Sequence, residues 1–442
     1  MPNEVDLLKS LDAEPKRPSG VDVQRAIADG RRRRRFRRSV GYTCAAAVTA
    51  LALAGASVAG GALRHPPAAP TAATGTPGSS AAATPPKAAY AIPGTAGWSA
   101  PTATPPTGCT IDRLPAPDNA PAALVSGADP TGRYLVGRSY PKSGGYQAVI
   151  WRDGKAEKVM LPGDLEELLQ DVNSTGTAVG WSFVGAGEAD TGPVPYAYHD
   201  GKVTKLPGVR HGSAYAINNA GAIAGDDSGD AALVWPSATA APIRLPVPGG
   251  ASKATARDID EDGTVVGTVS VGGQGTASAA GIAPTMPYVW LPDGTHRALV
   301  MPELDGKQAV SASVFGIRNG WAIGVASVET AAIGARDSGD THTASVTRTV
   351  RWNVRTGEVR VFAEPGFGAE MTNAHGWLVG TNRQSRAVLR TDSATVVLPD
   401  LAGQPQGGLA TIASTLSDDG RVIAGQSDDA KGQIQAVVWR CR

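Results

Sequence analysis

Cysteine is nearly absent. Cys44, Cys109 and Cys441 are the only three in 442 residues, which excludes a disulfide-dense scaffold. Linear catalytic signatures are missing too: no HExxH, GxSxG, P-loop or paired-cysteine motif occurs. The six histidines are dispersed, with His199, His211 and His296 in or near turns. This points away from an enzyme, although groups gathered from several repeats would leave no linear motif. Net charge is close to zero, at +1, but that value averages two unlike regions. Residues 1–38 carry eleven Lys/Arg against six Asp/Glu, and the remainder carries thirty against thirty-four. A mildly acidic bulk argues against nucleic acid as the main partner.

One stretch lacks charge altogether. Ser39 to Leu63 is 25 residues without an Asp, Glu, Lys or Arg, long enough as a helix to cross a hydrocarbon core of roughly 30 Å. Seven arginines interrupted only by Phe36 stand just before it, from Arg31 to Arg38. The positive-inside preference then predicts residues 1–38 in the cytoplasm and the rest outside. A cleaved signal peptide is the competing expectation, because Ser57-Val58-Ala59 offers a small-x-small site. Residues 64–108 hold ten prolines among Ala, Thr, Gly and Ser and lack the apolar pattern needed to fold. As extended polyproline II this linker would reach about 140 Å, enough to lift a domain through a cell wall.

From Cys109 onward one pattern recurs, shown best by SAYAINNAGAIAGDDSGDAALVW, Ser213 to Trp235. Each unit has an apolar run, an Asx-rich turn ending in Gly, and a short run ending in Gly. A variable loop follows, then a run closing on Trp or Tyr, and usually a segment ending near Leu-Pro. The turn glycines are Gly132, Gly176, Gly221, Gly263, Gly320, Gly376 and Gly420, spaced by 44, 45, 42, 57, 56 and 44 residues. A period in the forties with four short strands per unit predicts a β-propeller. The expected architecture is therefore all-β: a seven-bladed β-propeller of four-stranded antiparallel blades over 109–442, preceded by a transmembrane helix and a disordered linker.

Unit seven ends at Arg442 without a Leu-Pro strand, while CTIDRLPAP, Cys109–Pro117, supplies one at the other end. Residues 110–116 are expected to complete blade seven, bringing Cys109 and Cys441 to neighbouring strand ends, where an oxidising compartment would pair them. Trp151, Tyr198, Trp235, Trp290, Trp352 and Trp439 close the third strand of six units, with Leu389 in the sixth. One aromatic per blade at one strand position predicts packing between blades, not a sugar platform.

The blocks AYAINNAGAIAG, ARDIDEDGTVVG and LQDVNSTGTAVG resemble the extracellular HAF-type repeat of secreted bacterial proteins. The resemblance covers 109–442 and implies a propeller outside the cell, with no activity to carry over. QAVIW, DAALVW and MPYVW replace the usual His-Ala-Phe of the third strand.

Two features bear on binding. Asp258, Asp260 and Asp262 alternate before Gly263 like the opening of a calcium loop. Position nine is Val266, however, and no acidic residue follows at position twelve. Equivalent turns hold Asp129, Asn173, Asn218, Asn373 and Ser417, which favour tight turns through their own backbone. Turn formation is thus the first expectation and calcium the second.

Loop length is uneven as well. Blades two, four and five have long connections between second and third strands, all opening on one face. Glu188, Asp190, Gln274, Glu329, Arg336, Asp337, Asp340 and His342 lie in them. Loops on a rigid scaffold are where binding is usually built. The expected molecule is a monomeric propeller without a cofactor, whose insertions meet a cell-surface protein or polysaccharide.

Topology is directly testable. Protease added to intact spheroplasts should cut within residues 64–108, releasing the propeller and leaving an N-terminal tag protected. Spontaneous release with a new terminus near Gly60 would establish the cleaved leader instead.

Overall fold

The computed structural model describes residues 104–163, 166–184, 192–272, 284–334, 341–402 and 411–442. Residues 1–103, with the expected cytoplasmic end, membrane helix and most of the linker, lie outside the described residues. Among the described residues no helix is long and apolar enough to cross a membrane.

Seven four-stranded antiparallel sheets make up the ring, six with their strands in chain order. Blades one to six occupy 122–159, 167–205, 213–244, 251–298, 311–361 and 368–397. Each first strand packs against the first strands of both neighbouring blades, round the ring and back to blade one. The first strands therefore surround a central channel. Apolar clusters fill the spaces between successive blades; one joins Val136 and Ile150 of blade one to Leu169 and Tyr196 of blade two. Burial on both faces explains the weak alternation of the sequence. In Tyr134–Tyr140 every residue is buried.

Blade seven closes as the repeat arithmetic requires. Its strands Thr411–Leu416, Val422–Asp428 and Ile434–Cys441 are completed by Cys109–Arg113, antiparallel to the last. The strand starts one residue before the expected 110 and ends at Arg113, although the Leu114 amide still donates to Ala436 O at 2.8 Å. Cys109 lies directly opposite Cys441 and is disulfide-bonded to it. Their Cα atoms are 4.0 Å apart, closer than the usual bridge range that begins at about 4.4 Å. The reason is register. Gly108 and Arg442 next to them exchange both backbone hydrogen bonds, so the cysteines take the non-hydrogen-bonded position, where strands approach most closely.

The third-strand tryptophans pack between blades, and the structure adds what each one holds. The indole N–H of Trp151 donates to Pro115 O at 2.7 Å, that of Trp235 to Pro207 O at 2.8 Å, and that of Trp290 to Pro246 O at 2.7 Å. Trp352 and Trp439 do the same to Val300 O and Pro399 O, both at 2.7 Å. The Leu-Pro endings are thus sockets for the next blade's indole. A buried indole needs an acceptor, and a carbonyl just past the fourth strand has no ladder partner.

Each first strand also carries a one-residue bulge, at Ser126, Gln170, Tyr215, Arg257, Phe315, Glu370 and Ser414. The glycine that ends each second run accommodates it. A Cβ on Gly137, Gly180, Gly225, Gly267, Gly324, Gly380 or Gly425 would sit 1.9–2.1 Å from a first-strand carbonyl oxygen. Only glycine tolerates that approach.

One expectation about loops is corrected. The blade-five insertion is not a loop outside the strands: Trp321–Gly334 and Thr341–Asn353 extend the second and third strands into a long hairpin, pairing Glu329 with Ser345 and Ile333 with His342. Its run of Thr, Val, Ile and Ala is compatible with strand, and polarity alone did not reveal this. Part of the extra length before blade five also lies in the blade-to-blade connection, as a small hairpin of Glu303–Leu304 and Lys307–Gln308 that buries Leu304.

The seam yields a stability prediction. Double substitution Cys109→Ser and Cys441→Ser should lower unfolding stability by on the order of 2–5 kcal/mol yet leave a folded ring, since the five residue pairs of that strand pairing remain. Deleting 109–117 should bare the edge of Ile434–Cys441 and cause aggregation, measurable by light scattering. A harmless deletion would move the seam elsewhere.

Candidate functional site

The site is built from the turns inward. Asp129, Asn173, Asn218, Asp260, Asn319, Asn373 and Ser417 head or form the turns between first and second strands, and all are at most 3% exposed. In six blades the turn glycine donates to the heading residue's carbonyl, as Gly221 N does to Asn218 O at 3.0 Å. Blade five uses a shorter turn of Asn319 and Gly320, both at positive φ.

The polar atoms left over join blade to blade. Ser174 Oγ donates to Asp129 Oδ2, Asn173 Nδ2 to Asn218 O, and Asn218 Nδ2 to Asp260 O, each at 3.1 Å. The amides of Asn319 and Gly320 donate to Asp260, at 3.1 and 2.8 Å. Asn319 Nδ2 then donates to Ala374 O at 3.0 Å, and Asn373 Nδ2 to Ser417 O at 3.2 Å. Asp418 N closes the circle on Pro130 O at 2.8 Å. Every junction of the ring is spanned.

A second tier lies beside this circle. Asn219 accepts from Ser174 N and donates through Nδ2 to Glu261, at 2.9 and 3.0 Å. Arg318 of blade five donates to Glu261 of blade four at 3.0 Å and, through two nitrogens at 3.0 Å each, to Asp418 of blade seven. A bidentate guanidinium thus bridges the ring at the turn end. Next to it, Asp171 and Asp258 each accept the amide of a following blade, Ile217 N at 2.9 Å and Ile317 N at 2.7 Å.

The three aspartates of the calcium-like segment are not brought together. Asp258 serves Ile317 and its own neighbour Ile259, and Asp260 serves Glu261 and blade five. Asp262 accepts from Thr264 N and Oγ1 and pairs with Arg355. Among the described residues no group of three metal-ligating side chains is placed to hold an ion. Sequence spacing resembles a calcium loop because alternate strand and turn positions both favour aspartate here, for two different neighbours.

The channel wall is made by the seven bulge residues. All are partly exposed, whereas the residue before each is buried; on innermost strands in mid-blade, that exposure is to the channel. Blades three to six contribute an arc of Tyr215, Arg257, Phe315 and Glu370. The Arg257 guanidinium lies over the Tyr215 ring at 4.2 Å, a cation–π contact, and Tyr215 Oη donates to Asp226 Oδ2 at 3.0 Å. Burial, with the Asp226 charge beside it, pushes the Tyr215 phenol up to about 12. Ser126, Gln170 and Ser414 form the remaining wall, and Ser126 Oγ donates across to Leu169 O at 2.5 Å. Sequence reasoning missed this ring because its residue types share nothing. The available signal was the second-strand glycine, which marks the bulge opposite.

The other end of the channel opens on the face that carries the connections between second and third strands. There a groove of about 650 Å³ runs over blade one, lined by Gly144, Tyr146, Lys158, Met160 and Glu167 among others. Beside it buried Arg138 sits between the rings of Tyr140 and Tyr146, at 5.3 and 5.0 Å. Of the expected contact residues, Glu188, Asp190, Gln274, Arg336, Asp337 and Asp340 lie outside the described residues. Glu329 and His342 fall in the strands of the blade-five hairpin.

No family model and no curated protein matches the chain. Solved propellers do. A YCF48 solved bound to a D1 peptide is similar at 12% identity, covering 78% of this chain and 97% of its own, with TM-score 0.42. The β-propeller domain of the Trilobed protease from Pyrococcus furiosus is 10% identical over 72% and 95%, with TM-score 0.45. An oligogalacturonate lyase in complex with manganese is 11% identical over 77% and 99%, with TM-score 0.41.

The buried acids set a pH dependence. Burial pushes the Asp171 carboxyl up to about 7, and those of Asp258 and Glu370 up to about 8; Asp258 is raised further by the Asp171 charge. In the unfolded chain all three ionise at about pH 4. The folded state keeps protons that the unfolded state has lost, so stability falls as pH rises from about 4 through about 8. The urea midpoint should be higher at the acidic end of this window than at its alkaline end. Glu370→Gln should flatten that slope. A midpoint rising with pH would contradict the assignment.

Proposed function

We propose that the chain is a membrane-anchored, extracytoplasmic propeller of the HAF-repeat kind, acting as a binding module toward a cell-surface protein or polysaccharide. The observation that carries this reading is the asymmetry of the ring. One end is bridged by buried hydrogen bonds and Arg318, and the other opens among the long connections of blades two, four and five. Rigid scaffold on one side and variable loops on the other is how binding surfaces are built. The uncharged segment behind the arginine block supports the anchor. The disulfide suits an oxidising compartment. Glu188, Asp190, Gln274, Glu329, Arg336, Asp337, Asp340 and His342 are the proposed contact residues.

Crosslinking on intact cells followed by mass spectrometry tests this without a guess at ligand class. Crosslinked peptides should map to the connections of blades two, four and five. Replacing 329–344 by a Gly-Ser turn should abolish the blade-five crosslinks while leaving the melting temperature unchanged. Partners captured solely through residues 1–38 would overturn the reading in favour of a sensor, in which that segment engages a cytoplasmic regulator and the propeller senses outside. Consumption of a wall polymer by the purified protein would replace it with an enzyme.

A further inference from the structure

The channel wall carries two charged groups that make no hydrogen bond or ion pair with any described residue. Glu370, on the inner strand of blade six, makes no hydrogen bond or ion pair with any described residue. Arg257, on the inner strand of blade four, makes no hydrogen bond or ion pair with a described residue; its guanidinium stacks on Tyr215 and feels the nearby Asp226 charge. Elsewhere the charges around the channel are matched with care: Arg318 holds two carboxylates, and Asp171, Asp258 and Asp260 each take backbone amides. Phe315 of blade five stands between the two unmatched groups in ring order and packs on the cluster of Phe362 and Phe367. Gln170 and Ser414 complete the wall with an amide and a hydroxyl.

We propose that the channel binds a short unblocked peptide or free amino acid, its ammonium on the Glu370 carboxylate, its carboxylate on the Arg257 guanidinium, and its apolar side chain against Phe315. The proposal rests on the binding-module reading and names the ligand class of one part of that surface. The separation of the two charges by a whole blade favours a peptide over a single amino acid, since each added residue lengthens the chain by up to about 3.5 Å. A guanidinium already stacked on an aromatic ring is oriented for a carboxylate with little further ordering. A carboxyl removed from bulk water and given no donor by the protein gains most from an incoming ammonium.

Protonation follows the same logic. Burial alone holds the Glu370 carboxyl up at about 8, so docking of an ammonium near neutral pH displaces its proton. The elements packed against its strand offer no rival partner. Arg318 is held by Glu261 and Asp418, Arg348 by Asp305 and Arg351 by Asp392. Glu329 and His342 lie on the long hairpin of blade five, paired in register with Ser345 and Ile333. The second strand of blade six, Leu378–Thr381, and the first of blade seven, Thr411–Leu416, carry no titratable side chain.

The test is calorimetric titration of the full-length protein in detergent micelles with alanyl-phenylalanyl-alanine and its N-acetylated and C-amidated forms, and with free phenylalanine. The unblocked tripeptide should bind saturably with release of a proton, seen as a dependence of the heat on buffer. Each block should weaken binding by about tenfold or more, the loss expected for one charged hydrogen-bonded contact. In Glu370→Gln the free and acetylated peptides should bind alike, and in Arg257→Gln the free and amidated ones. If either variant fails to fold, the blocked peptides on the unaltered protein still decide. Equal affinity for blocked and free peptides, or no saturable binding of any, overturns the proposal. Surface crosslinks without peptide binding would sink the channel assignment and leave the binding-module reading standing. Peptide binding without crosslinks would do the reverse.

Discussion

The ring depends on buried polar turn residues, among them Asn173, Asn218, Asp260, Asn319 and Asn373, whose hydrogen bonds reach into a neighbouring blade. A turn residue such as Asn218 uses its backbone and carbonyl oxygen to form its own turn, which leaves an amide group under apolar surroundings. Leaving such a group unpaired costs on the order of 1–3 kcal/mol, and only the next blade supplies a partner. Each blade is therefore incomplete alone, and the last must meet the first. This explains why a seventh unit lacking its outer strand retrieves one from the far end of the domain. A gap at the seam would expose strand edges and orphan Asp418 N from Pro130 O.

Much of this was legible in the letters, because it follows from periodic positions. Turn glycines counted the blades, the missing Leu-Pro located the seam, and one aromatic per third strand announced the inter-blade contact. What escaped were features in which the backbone repeats and the residue type does not. The bulge holds serine, glutamine, tyrosine, arginine, phenylalanine or glutamate, since its side chain faces the channel and meets a different neighbour in each blade. The Leu-Pro segments were visible as strand ends, but their role as acceptors for Trp151, Trp235, Trp290 and Trp439 needs a three-dimensional neighbour. In the blade-five insertion, polarity suggested a loop where pairing across a hairpin allows strand.

The aspartate triplet of blade four shows why spacing alone misleads. Alternation of Asp258, Asp260 and Asp262 is shared with metal loops, yet here it reflects three separate demands. One carboxylate meets the following inner strand, one meets the shortened turn of blade five, and one meets Arg355. Blade five needs this help because its Asn319-Gly320 turn is too short to repeat the arrangement of its neighbours.

The disulfide has a mechanical side. Any load borne by the chain ahead of the propeller arrives at Cys109, the first residue of a strand that lies along Ile434–Cys441. Without a covalent tie, tension there would open that pairing one hydrogen bond at a time, as a zipper opens from its tab. The bridge to Cys441 sits at the tab itself. Pulling is diverted into the third strand of blade seven, which is held by neighbours on both sides and yields only if the whole sheet shears at once. The domain is shackled where it would first be torn.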